Sequence, residues 1–104
     1  MTEPVRRDDA EVLEREEQRE KTPDLWNVVL HNDDYTTMEF VVEILEDVFH
    51  KSPAEAFAIM MKVHFEGRGI AGGYPFEIAE TKADEVHGAA RESGFPLRAT
   101  VEEA

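Results

Sequence analysis

Leu30-His31-Asn32-Asp33-Asp34-Tyr35-Thr36-Thr37-Met38-Glu39-Phe40 is the stretch on which the fold turns. An apolar run, Leu25 to Leu30, stops at an amide, two carboxylates and a phenol, Asn32 to Tyr35, and a helix start follows at once. Trp26, Val28, Val29 and Leu30, with no glycine or proline among them, predict a strand over 25–31. Thr36-x-x-Glu39 is a capping-box pattern and predicts a helix from near Thr37, with Met38, Val41, Val42, Leu45, Val48 and Phe49 as its apolar stripe. A strand, a polar turn and a helix therefore follow without a gap. The turn concentrates hydrogen-bond acceptors between two packed elements.

Further along, Ser52-Pro53-Ala54-Glu55 is a second capping box with proline at the first helical position. It predicts a helix to about Glu66, stopped by Gly67, with Ala56, Phe57, Met60, Met61, Val63 and His64 on its inner side. Gly69, Gly72 and Gly73 read as turns around Ile70, and a strand is expected at 74–79, late or at an edge because of Pro75. Thr81-x-x-Asp84 is expected to open a third helix, ended by Ser93-Gly94, and 96–101 a last strand. The order is βααβαβ. Burying every apolar stripe at once calls for an α/β (α+β) domain in which a small antiparallel three-stranded sheet packs against three helices.

The chain has 104 residues, enough for one small core, and no cysteine, which excludes disulfides, thiolate metal sites and cysteine nucleophiles. No apolar stretch is long enough to span a membrane and no signal-peptide core opens the chain, so a cytoplasmic protein without membrane partners is expected. The net charge of −13 argues against nucleic acid, whose phosphates need clustered Lys and Arg. Residues 1–22 carry eight acidic and five basic side chains but few large apolar ones, and predict a mobile charged tail; Pro23 marks the boundary of a domain over 23–104.

Asn32, Asp33 and Asp34 allow three readings: ordinary turn chemistry, catalysis or metal ligation by the carboxylates, or capture of a cation. The second lacks support, since no metalloprotease, phosphate-loop or nucleophile-elbow motif is present. An ammonium group offers three donors and no acceptor, so it asks for about three acceptors. Asn32 and Asp34 can supply two and a neutral histidine nitrogen the third. His64 by itself reads equally as a packed or capping residue. His31, His50 and His87 show no ligand spacing with it, so no metal or other cofactor is expected. Met38, Met60 and Met61 suit a core, and equally a pocket that must repack around different side chains.

The run Asn32 to Val41, then Met60-x-x-Val63-His64-x-x-Gly67, then Ala79-Glu80-Thr81-Lys82, strongly resembles ClpS, the adaptors that bring N-degron substrates to the Clp protease. The resemblance covers residues 23–104 and departs at Thr37, where many members carry proline. It implies a fold similar to the C-terminal domain of the ribosomal stalk protein, and an adaptor rather than an enzyme, expected to be a monomer. It further implies that Asn32, Asp34 and His64, with Asp33 nearby, hold a substrate's free α-amino group. A Phe, Tyr, Trp or Leu side chain would enter a pocket of Thr36, Met38, Val41, Met60, Val63 and Leu97. Glu77 and Lys82 would meet the N-terminal domain of the Clp AAA+ unfoldase, and the tail would be engaged during hand-over. A regulatory module that binds the unfoldase without reading N-termini is the alternative.

Overall fold

The computed structural model describes residues 24–104; the expected tail, 1–22, and its boundary at Pro23 lie outside the described residues. Strand β1 (Trp26–His31) leads through the polar turn into helix α1 (Met38–Asp47). Helix α2 (Pro53–Glu66), strand β2 (Arg68–Tyr74), helix α3 (Phe76–Ser93) and strand β3 (Arg98–Glu103) complete the βααβαβ order. The sheet is antiparallel, in the order β2-β1-β3. Among the described residues no helix is long and apolar enough to cross a membrane.

Strand periodicity assigns the two sheet faces. Val28 and Leu30 join the core with Ile44, Leu45, Met60, Val63, Val86 and Leu97, under the helices. Asn27, Val29 and His31 point to the opposite face, where Val29 is paired with Ile70 on one side and Thr100 on the other. A bulge in β2 between the partners of Val28 and Val29 shifts the register there.

Several boundaries differ from the sequence reading, each for a local reason. The cap of α1 is Thr37, whose hydroxyl accepts from the Phe40 amide at 3.1 Å; Thr36 is instead bonded to Asp33. The glycine-rich segment is not a turn but β2 itself. A Cβ at Gly69 would lie 2.9 Å from Val63 Cγ2 and 3.3 Å from the Ile59 carbonyl, so glycine marks a strand pressed onto α2. The segment expected as a strand, 74–79, is mostly the first turn of α3, which begins at Phe76 just after Pro75. Thr81 therefore lies inside that helix, its hydroxyl donating to the Glu77 carbonyl at 3.0 Å. The last strand begins at Arg98 rather than Pro96.

The second capping box forms as expected: Ser52 and Glu55 bond reciprocally, Pro53 is the first helical residue, and Gly67 ends α2 at φ 89°. The expected inner face is narrower than its list. Ala56, Met60 and Val63 are buried, whereas Phe57 and His64 are exposed.

Candidate functional site

The turn after β1 is held from both ends. The Asn32 amide donates to the Gly67 carbonyl at 2.9 Å, which ties the turn to the end of α2. Asp33 then braces it internally: Oδ1 accepts from the amides of Tyr35 (2.8 Å) and Thr36 (2.7 Å), and Oδ2 accepts from the Thr36 hydroxyl (2.7 Å). Burial works to raise the Asp33 carboxyl, but the hydrogen bonds from Thr36 and Tyr35 prevail and hold it below the usual carboxylate range. Asp33 is thus an ionised structural acceptor. Its neighbours Asn32 and Asp34 are exposed, and among the described residues their side chains have no hydrogen-bond partner.

Those free side chains stand at the rim of a groove of about 400 Å³ between the turn, the start of α1 and the end of α2. Asn32, Asp33, Asp34, Thr36 and His64 supply its polar side, and Met38, Val41, Met60 and Val63 its apolar side. Val41, Met60 and Val63 are buried and form the floor, while Met38, at the first position of α1, is 45% exposed and stands at the lip. His64 meets the ring of Phe65 edge-on, with centroids 4.8 Å apart. Thr37 and Tyr35 also line the groove. The sequence placed Tyr35 in the acceptor turn and Thr37 at the helix start but assigned neither to the site, although their place between Asp34 and Met38 was a sufficient signal.

The structure thus brings together nine of the residues named from the sequence. Leu97 is not among the lining side chains, but it belongs to the same buried core as Val41, Met60 and Val63. That side chain is buried, and the depression it lines lies between the end of α3 and the start of β3. Glu77 is exposed in the first turn of α3. Lys82 is half-buried: its ammonium donates to the Val48 carbonyl at 2.7 Å and lies 5.8 Å from the centre of the Tyr74 ring. Among the described residues no cluster of His, Asp or Glu is arranged to hold a metal ion.

A groove with acceptors along one wall and apolar carbon along the other, on a βααβαβ frame, defines a small ligand-receiving domain. Comparison with known proteins gives the family. The family model of the ATP-dependent Clp protease adaptor protein ClpS matches residues 21–100. The chain is 57% identical over 86 residues to the ATP-dependent Clp protease adapter protein ClpS of Desulforapulum autotrophicum, covering 83% of each. It is 53% identical over 97 residues to that of Oleidesulfovibrio alaskensis, covering 93% of this chain and 91% of the relative. Among solved structures it is similar to Agrobacterium tumefaciens ClpS2 bound to L-phenylalaninamide, with TM-score 0.76 and 41% identity over 80% of this chain and all of that one. The chain belongs to the ClpS family of Clp protease adaptors.

Proposed function

We propose that this adaptor reads protein N-termini in its groove and delivers the bound chains to the Clp AAA+ unfoldase. The observation that carries the reading is the groove's two-sided lining: Asn32, Asp34 and His64 above a floor of Val41, Met60 and Val63. A free α-amino group is an ammonium with three donors, and a first side chain such as Leu or Phe is apolar. The ligand of the Agrobacterium relative, L-phenylalaninamide, has both features: a primary amine and a benzyl group on one carbon. Asn32 and Asp34 accept from the ammonium, His64 as a neutral ring supplies the third acceptor, and Asp33 adds negative charge while holding the turn.

The energetics suit a transient adaptor. Burying one large apolar side chain contributes about 1.5–3 kcal/mol. Each hydrogen bond to the charged amine contributes about 1.5–3 kcal/mol. After the loss of translational and rotational freedom, the sum leaves an affinity on the order of micromolar. Neither half suffices alone, so the site reads the charge and the side chain together. Phe, Tyr, Trp and Leu are the first residues that fit, and the chemistry calls for no cofactor and no catalysis. The unfoldase's N-terminal domain meets the surface around Glu77 and Lys82, away from the groove, so that substrate and unfoldase bind at once.

The experiment is a pair of labelled peptides that begin with Leu and differ only in N-terminal acetylation. Fluorescence anisotropy should detect the free peptide binding on the order of micromolar and little or no binding of the acetylated one. Comparable binding of both peptides would leave the polar wall without its proposed ligand. Faster degradation of a Phe-started reporter by the unfoldase–protease on adding the chain tests delivery separately.

A further inference from the structure

Behind the Asn32–Asp34 turn lies a second depression, of about 390 Å³, lined by His31, Asn32, Asp33, Gly67, Pro96 and Arg98. Asn32 and Asp33 line both this hollow and the groove, so the turn is a ridge between two contiguous spaces. The hollow sits at the end of the sheet, where His31 is flanked by Arg68 on β2 and Arg98 on β3.

The charges in that row are not equivalent. Arg68 is committed to Glu102, 2.5 Å away. The Thr100 hydroxyl donates to Glu102 at 3.1 Å, so it accepts from His31 Nε2 at 2.7 Å. Burial, then the two arginines, disfavours a charged His31, so that ring is a neutral donor. Arg98 is different: it is exposed, and among the described residues its side chain has neither an ion pair nor a hydrogen bond. On its other flank it shares a depression with Arg91. Its guanidinium is left uncommitted in the hollow that shares Asn32 and Asp33 with the groove.

We infer that the hollow is a second subsite, in which Arg98 receives an acidic side chain at the second or third residue of the bound N-terminus. The inference rests on the proposed reading of the groove. Arg98 pairs with His31 across β1 and β3, and Asn32 is the next residue along. One strand spacing and one residue step put the Arg98 backbone within about 9 Å of Asn32. A peptide whose amine is held at Asn32 covers about 7 Å with two extended residues, and the arginine side chain spans the remainder. An exposed ion pair is weak in isolation. Here it acts against the net negative charge of the chain and against the Asp33 carboxylate, which lines the same hollow. Arg98 therefore sets whether N-termini with Glu or Asp behind the first residue are admitted.

The test uses the full chain as wild type, Arg98→Gln and Arg98→Glu, with three labelled Leu-started peptides carrying Glu-Glu, Ala-Ala or Lys-Lys at residues two and three. The dissociation-constant ratio of the Glu-Glu to the Ala-Ala peptide should rise about fivefold in Arg98→Glu and by less in Arg98→Gln. The Ala-Ala peptide is the internal reference, because it carries the effect of the charge change on the held ammonium, which all three peptides share. The Lys-Lys peptide should bind more tightly to Arg98→Glu, a gain that a misfolded variant cannot produce. The effects should shrink in about 0.5 M salt, where screening acts within a few ångströms. The same Glu-Glu to Ala-Ala ratio in all three proteins would overturn the inference. An acetylated Leu peptide run alongside keeps the two ideas apart: loss of its binding with an unchanged ratio retains the groove reading and removes Arg98 from it.

Discussion

Two adjacent carboxylates, Asp33 and Asp34, have the same chemistry and different work. Asp33 is consumed by three hydrogen bonds inside the turn, whereas Asp34 faces the groove without a partner among the described residues. Asp34→Ala should therefore weaken a Leu-started peptide by more than about tenfold, through loss of an ionic acceptor, and leave thermal unfolding nearly unchanged. Asp33→Ala should lower stability by about 1 kcal/mol by removing the brace, and lose binding as a consequence; anisotropy and heat unfolding on the two variants resolve the roles. Equal affinity of Asp34→Ala and wild type would return Asp34 to ordinary turn chemistry. Met38 makes a third case. It stands at the first position of α1 and lines the groove, where a side chain directed back over the preceding turn would crowd the first side-chain carbon of an N-terminal residue held there. A β-branched residue carries an extra substituent there and has little freedom to rotate away. Ile-started peptides should bind about tenfold more weakly than Leu-started ones although their transfer energies are similar, and Met38→Ala should narrow the gap. An unchanged Leu-to-Ile ratio would make Met38 a plain packing residue.

At the scale of elements, the groove depends on how closely β2 lies on α2. Gly69 permits that contact, since a methyl group there would meet Val63 Cγ2 at 2.9 Å and the Ile59 carbonyl at 3.3 Å. Val63 is part of the groove floor. Gly69→Ala should cost about 1–3 kcal/mol by overpacking, and the displaced Val63 should weaken peptide binding. Gly67→Ala is a useful contrast. Its φ of 89° strains any side chain, but nothing lies within 4 Å of the added carbon. That variant should lose stability, by about 1–2 kcal/mol, with the groove floor undisturbed. If both variants lose stability and neither loses affinity, β2 does not set the floor.

For the whole molecule, the shifted groups predict how stability depends on pH. His31 is held below its ordinary value of 6.5, first by burial and then by Arg98 and Arg68, with Glu102 opposing. The unfolded chain therefore takes up that proton before the folded one. The stability His31 contributes is complete above about pH 6.5 and is lost as pH falls through its folded value. Asp33 is likewise depressed from 3.8, so its contribution persists well into acid and goes as pH falls through its lower folded value. Glu55 and Glu102 are also held below their ordinary values, so unfolding temperature measured from about pH 8 to 3 should decline in two stages, the first as His31 takes up its proton and the second as Asp33, Glu55 and Glu102 take up theirs. His31→Gln should flatten the first stage; a first stage as steep as wild type would show that another group drives it.

How far the sequence could be read follows from which signals are local. Ser52, Pro53, Glu55 and Gly67 act on backbone groups within one turn of themselves, so the limits of α2 were legible and are as expected. The turn acceptors and the apolar stripe of α1 were legible for the same reason, and they carry most of the groove. The glycines of β2 misled because glycine marks both turns and close packing. Only the distance from Gly69 to Val63, six residues away along the chain but pressed against it in space, separates the two meanings. The start of α3 at Phe76 was hidden because Pro75 offers no side-chain cap. The division of labour between Asp33 and Asp34, the burial of Leu97 in the core beneath the helices, and the exposure of Arg98 depend on where remote segments meet. The sequence by itself determined the elements that cap and pattern themselves locally. The tertiary structure decided which side chains are spent on holding the turn and which are left for a ligand, because hydrogen-bond partners are assigned only when distant parts of the chain are packed together.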